Sequence, residues 1–280
     1  MLRLSLMFGE KKLIVKKIHS IKFMAAIGML LAYSGSSFAE PSDQLWPFLK
    51  ESFFAARTIE EASFIKITGP RRAESGAQVP VTLSIDKPQH AADAIKNVYI
   101  LVDANPIPLV ATYHLSELLG KFQLSTRIRM ETDSYVRVIG ETADGKLYMS
   151  EIPIRAAGGC GGTVENDEAA IRATAGKIKL NVESPISFGQ ATPATFIIKH
   201  PMRTGLQRDL VSQGTVPAFY IKQAAFTYNG KPLMSVDVGV GTSEDPYMRF
   251  DFVPDAPGVL EVKASDNEGQ SFTKSLDVRS

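Results

Sequence analysis

Phe122-Gln123-Leu124-Ser125-Thr126-Arg127-Ile128-Arg129-Met130 alternates large or β-branched side chains with polar ones. Successive side chains of a β-strand point to opposite faces, so this period of two makes one apolar and one polar face. The same alternation occurs upstream, where Val79, Val81, Leu83 and Ile85 interleave with Pro80, Thr82 and Ser84. Val98-Tyr99-Ile100-Leu101-Val102 is apolar throughout, as a buried strand is. Apolar stretches at 135–139 and 147–154 flank Asp144-Gly145, a hairpin signal. These strands suffice for one β-sandwich of roughly 100 residues.

The pattern then restarts. Ile178, Leu180 and Val182 alternate, 194–199 reads as a strand, and 225–228 runs into the turn Asn229-Gly230. Further strands are expected over 236–240, 248–253, 259–264 and 272–278, the last two joined by the hairpin Ser265-Asp266-Asn267-Glu268-Gly269. No long amphipathic helix lies between strands, which disfavours a parallel α/β sheet. The fold class is therefore all-β, two sandwiches in tandem. A short helix over 43–57 precedes them, with Ser42 or Asp43 as its cap and Pro47 in its first turn. Leu45, Phe48, Leu49 and Phe53 fall near one face of that helix, and Trp46 is a packing residue.

The 280 residues open with six cations, Arg3, Lys11, Lys12, Lys16, Lys17 and Lys22, against the single acid Glu10. An apolar run over 23–33 follows, shorter than the roughly 20 residues that span a bilayer. Ser37-Phe38-Ala39 then presents small residues where signal peptidase cuts. The reading is a secretory signal over 1–39, a periplasmic destination and no membrane span after cleavage. Removing it leaves 25 Lys+Arg against 29 Asp+Glu, a net charge of −4. Neither this charge nor the +1 of the whole chain suggests a nucleic-acid partner. One cysteine and four histidines exclude a disulfide framework and make a metal centre a poor expectation.

The one cysteine, Cys160, lies in Gly158-Gly159-Cys160-Gly161-Gly162, between the two halves. Glycine has no β-carbon, so the stretch reads as a mobile arm with a sterically open thiol. No base or cation adjoins it in sequence. The thiol is expected to behave as an ordinary exposed one, with a pKa near about 8.5. An incidental linker cysteine, a dimer-forming disulfide and a covalent attachment point all fit the stretch itself. A catalytic cysteine would need a base, and His90, His114 and His200 are distant in sequence. At roughly 3.3–3.6 Å per residue, an arm leaving the first sandwich near Ile154 reaches about 20 Å. The tether on its other side is slack unless 164–176 folds against the body.

The glycine–cysteine stretch resembles the sulfur-carrying arm of SoxY. The second half resembles SoxZ in His200-Pro201-Met202-Arg203-Thr204-Gly205, Val216-Pro217-Ala218-Phe219-Tyr220-Ile221, Asn229-Gly230-Lys231, Asp245-Pro246-Tyr247 and the terminal hairpin. The chain looks like a single-chain SoxYZ-like carrier of the type associated with quinoprotein dehydrogenases. The resemblance implies two immunoglobulin-like sandwiches, over 40–155 and 177–280, with the arm and linker at 156–176. It also implies a carrier, not an enzyme, with no cofactor. Thiosulfate-derived sulfur would be held on Cys160 and presented to periplasmic sulfur-oxidation enzymes or a quinoprotein dehydrogenase system. An accessory binding module of such a dehydrogenase is the alternative. His200 holds a motif position, for which a satisfied histidine at a strand end, beside Pro201, is the simpler account. Two features depart from the family: the arm is internal here, whereas it ends the chain in the two-chain carriers, and no twin-arginine signal precedes the apolar run.

Overall fold

The structure, a computed structural model, describes residues 41–55, 57–164 and 167–279. The expected signal segment lies outside the described residues. Among those described, no helix is long and apolar enough to cross a membrane.

The period-two stretches become strands with one face in the core. In β3 (Val79–Pro88), Val79, Val81, Leu83 and Ile85 are buried, and in β6 (Lys121–Ile128), Phe122, Leu124, Thr126 and Ile128 are. The first half adds β1 (Ile59–Glu61), β2 (Ile65–Thr68), β4 (Ile95–Val102), β5 (Leu109–Leu115), β7 (Ser134–Thr142) and β8 (Leu147–Ile154). The second half contains β10 (Ile178–Val182), β11 (Thr192–Ile198), β13 (Ile221–Tyr228), β14 (Lys231–Val238), β15 (Tyr247–Phe252), β16 (Gly258–Asp266) and β17 (Ser271–Val278). Asn229 and Gly230 both adopt positive φ, at 49° and 75°, as a tight hairpin turn between β13 and β14 requires.

The two sandwiches share both of their sheets. One sheet has nine strands in the order β1-β8-β7-β4-β5-β14-β13-β16-β17, and the other has six, β10-β11-β15-β6-β3-β2. The junction is a pair of antiparallel ladders. Tyr113 of β5 faces Val236 of β14, and Leu124 of β6 faces Phe250 of β15. In an isolated first half, β5 and β6 would be edge strands with unpaired N–H and C=O groups. Here each edge is closed by the other half, and one continuous apolar core runs between the layers from Ile65 to Val278. Phe196, Phe226 and Phe250 meet edge-to-face beside the junction, with centroids 5.3 and 5.0 Å apart.

The N-terminal helix α1 (Trp46–Phe54) is present, but its anchoring differs from expectation. No side chain among the described residues caps it, because Asp43 turns instead to Arg137. Arg137 is buried against Asp103 and Glu151 as well, and its guanidinium stacks 4.3 Å from the Trp46 ring. The helix buries Leu49 and Phe54, while Leu45, Phe48 and Phe53 are exposed.

Between the halves, β9 (Thr163–Val164) pairs in parallel with β12 (Arg208–Asp209). Helix α2 (Glu168–Thr174) follows, with the Asp167 carboxylate accepting from the Ala170 amide at 3.1 Å. Arg172 forms a two-pronged pair with Glu268, and the Gly176 amide donates to Lys199. The tether downstream of the cysteine is therefore folded against the body.

Shared sheets imply shared stability. Calorimetry should show the sandwiches melting in one transition, and Phe250→Ala should destabilise that transition as a whole by about 3–5 kcal/mol. Two resolved transitions, with only the second moved by the substitution, would contradict the continuous core.

Candidate functional site

The site begins where β6 ends. Past Ile128 the chain passes through Arg129, Met130 and Glu131, a strap fixed along its backbone. The Arg129 amide donates to Gly241 (2.7 Å), the Met130 amide to Gly76 (2.8 Å), and the Glu131 amide to the Asn105 side chain (2.9 Å). Asn105 is itself buried and donates to the Arg129 carbonyl at 2.8 Å.

The glycine–cysteine stretch lies on this strap. Gly158 and Gly159 donate to the carbonyls of Glu131 and Met130 at 2.8 and 3.0 Å. The Glu131 carboxylate accepts with one oxygen, Oε2, from the amides of Cys160 (2.7 Å) and Gly161 (3.2 Å). Two glycines answer to different needs. A β-carbon on Gly159 would sit 2.1 Å from the Gly76 carbonyl oxygen, so only glycine permits so close an approach. Gly162 has open space around it but a φ of +97°, which other residues resist.

The second half supplies the other wall, from the segment 200–205. The Thr204 hydroxyl donates to the Cys160 carbonyl at 2.8 Å, and the Arg208 amide donates to the Gly162 carbonyl at 2.8 Å. His200, Met202 and Arg203 each have a local task. His200 Nδ1 accepts from the Met202 amide at 3.3 Å, which supports a turn with Met202 at a φ of +47°. The Met202 sulfur accepts from the Ile221 amide, and Arg203 exchanges backbone bonds with Phe219.

Arg129 joins all three parts. Its guanidinium donates to the carbonyls of Gly159 (3.1 Å), Met202 (3.1 Å), Pro201 (3.4 Å) and, through Nε, Thr242 (3.2 Å). The residue is only 4% exposed. Burial lowers its pKa from the ordinary arginine value, opposed by the Cys160 and Glu244 charges. A planar fork of donors suits this task, because it holds several carbonyls in fixed directions at once.

The expectation of an open, ordinary thiol does not hold. Cys160 is 5% exposed, and burial pushes its pKa up to about 11, assisted by the Glu131 charge and opposed by Arg129. The glycines that suggested a free arm instead let the backbone sink into the junction, where both halves hydrogen-bond to it. Gly158, Gly159, Gly161 and Gly162 are thus a docked segment in this conformation. Among the described residues no hydrogen bond joins His114 or His200 to the thiol: His114 is tied to Asn97 and Asp237, and His200 Nδ1 supports its own turn. Burial lowers the His200 pKa to about 4, so it is neutral at physiological pH. Its Nε2 is buried without a hydrogen-bond partner among the described residues, so the histidine is only partly satisfied. Groups of three or more potential metal ligands do not occur among the described residues. Upstream of the cysteine, a cleft of about 210 Å³ opens between Arg72, Glu74, Asp133 and Arg155.

Sequence reasoning did not find Arg129, Glu131, Asn105 or Gly76. Arg129 falls on the polar phase of its strand, where solvent exposure is the ordinary reading. The one available signal was the length of the alternation, which carries two residues past the last rung of β6.

Comparison with known families matches two different family models to successive parts of the chain. The model of the Sulfur oxidation protein SoxY matches residues 50–160, ending on the cysteine itself. That of the Sulphur oxidation protein SoxZ matches residues 180–277. Among solved structures, the sulfur carrier protein SoxY from Chlorobium limicola f thiosulfatophilum is similar at 26% identity and a TM-score of 0.34, covering 40% of this chain and 92% of its own. A superoxide reductase (neelaredoxin) from Ignicoccus hospitalis is similar at 13% identity and a TM-score of 0.30, covering 33% of this chain and 78% of its own. No curated protein matches the chain.

A buried thiol with a raised pKa makes stability fall with pH. Below the ordinary value of about 9 the thiol is protonated in both folded and unfolded chains. Between about 9 and about 11 the unfolded chain ionises first, so the docked state loses stability across that window. Denaturant titrations at pH 8 and pH 10.5 should show wild type losing about 2 kcal/mol more than Cys160→Ser between the two. Equal losses would place the thiol in solvent.

Proposed function

We propose that this SoxYZ-like chain, a SoxY-type domain followed by a SoxZ-type domain, is a periplasmic carrier that holds sulfur intermediates covalently on Cys160. The observation that carries this reading is the docking of the one cysteine. It sits at the end of the SoxY-type match, and the contacts that hold it come from both domains, including the SoxZ-type segment 200–205. An incidental linker cysteine gives no reason for two domains to build a seat for it.

The chemistry follows from the two states available to such a segment. Docked, the thiol is shielded and protonated, which protects it from stray oxidation in an oxidising compartment. Undocked, it returns toward an ordinary thiol and can form the thiolate that attacks or is attacked. Loading with thiosulfate makes an S–S bond to Sγ and breaks the S–H bond. It releases one proton and sends two electrons to a redox acceptor on a partner protein. The chain supplies the attachment point and the shelter, while its partners supply oxidation and hydrolysis. Enzymes of a sulfur-oxidation system are the partners this reading names first. A quinoprotein dehydrogenase system is the narrower alternative.

Intact-mass measurement on protein purified from its native periplasm tests the proposal. Wild type should carry sulfur-containing adducts that a reductant removes, and Cys160→Ser should carry none and fail to support sulfur-dependent growth. An always unmodified thiol, with physiological function retained in Cys160→Ser, would favour an accessory binding module instead.

A further inference from the structure

The carboxylate of Glu131 is in an unusual position for a group beside a cargo-bearing sulfur. Its Oε2 is shared by the amides of Cys160 and Gly161, and its own backbone carbonyl takes the Gly158 amide. Three of the amides in the stretch thus close on one residue. Its partner Asn105 is buried and fixes the strap from behind. Cys160 is only 5% exposed, so atoms added to Sγ must enter the packed junction or displace the arm.

We propose that Glu131 is the latch of the docked arm, and that a negatively charged group on Sγ of Cys160 opens it. This rests on the carrier reading for its biological use, but the latch itself is a property of the structure. Glu131, bonded to the Cys160 amide, and Arg129, bonded to the Gly159 carbonyl, are the charged groups that act on the sulfur, and they act in opposite directions on an added anion. Arg129 is committed to four carbonyls, one of them in the arm itself. Glu131 lies within hydrogen-bond reach of the Cys160 amide. Burial first, and the Glu131 charge after it, raise the thiol pKa against the opposing Arg129, so the docked seat disfavours a negative charge on the sulfur. A thiosulfonate or other oxidised sulfur group carries such a charge. Loading would therefore weaken both charge-assisted bonds from Glu131 and crowd the seat, so that the loaded arm is the one presented to partners. The unloaded arm stays down. Glu131 acts through the arm and makes no contact with a substrate, so it is a positioning residue.

The test separates charge from bulk. The only cysteine can be alkylated with iodoacetate or with iodoacetamide, giving two adducts of equal size that differ by one negative charge. Amide hydrogen exchange is then followed at neutral pH in the peptide that covers 157–162. In wild type the carboxymethyl form should exchange about tenfold or more faster than the carbamidomethyl form. In Glu131→Gln, which keeps the shape and removes the charge, the two adducts should exchange alike. Equal exchange of the two wild-type adducts would overturn the proposal. So would a difference that persists in Glu131→Gln, because the charge sensed would then belong elsewhere. No sulfur donor enters the experiment, so its failure is distinct from a failure to find sulfur on Cys160.

Discussion

A single buried guanidinium ties this molecule together at the place where its chemistry sits. Arg129 leaves the first sandwich at the end of β6 and reaches carbonyls of the second sandwich, the 200–205 segment and the cysteine stretch. Removing a charged group from water costs several kcal/mol unless it is well satisfied. Among the described residues no carboxylate pairs directly with it, and four carbonyls share the task. The acceptors are complete only when the two halves and the docked arm are all in place. Docking is therefore favoured by the fold, because the arm supplies the fourth acceptor of a buried arginine whose other three come from the second half.

The shared sheets make this arrangement possible. Pairing of β5 with β14 and of β6 with β15 fixes the halves in register, so Gly241, Thr242 and Met202 arrive at fixed distances from Arg129. Two sandwiches joined only by a flexible linker would hold no such site. The internal position of the arm also takes on a meaning. Downstream of Gly162, β9 and α2 pack against the second half, which leaves the glycines as the adjustable part between two anchored segments.

Much of the fold was legible in the sequence, since strands with one wet face display a period of two. The stretches at 79–85 and 122–128 became β3 and β6, and the Asn229-Gly230 turn formed as expected. Strand β5 escaped notice because most of its residues, on both of its faces, are buried at the junction, so Leu109 to Leu115 shows no alternation. The merging of the two sandwiches was hidden for the same reason, since ladder pairing between halves leaves no local mark. At the site, the sequence singled out the cysteine and the 200–205 motif but could not show that they touch. Two glycine pairs flanking one cysteine suggest freedom when read locally. Whether they swing or sink depends on what lies within hydrogen-bonding distance, and Arg129 and Glu131 are about 30 residues away along the chain.

If Arg129 is what unites halves and arm, the reactivity of the sole thiol reports on it. The most direct measurement is the rate at which Cys160 reacts with a neutral disulfide reagent at pH 8, in wild type and in Arg129→Met, each against an unfolded peptide of residues 155–165. Wild type should react at least about a hundredfold more slowly than the peptide, as a buried, protonated thiol does. Arg129→Met, with the seat of the arm removed, should approach the peptide rate while the β-sheet signature of the fold persists. A substituted protein that remains folded and as unreactive as wild type would contradict the account, because the arm would then be held without the arginine.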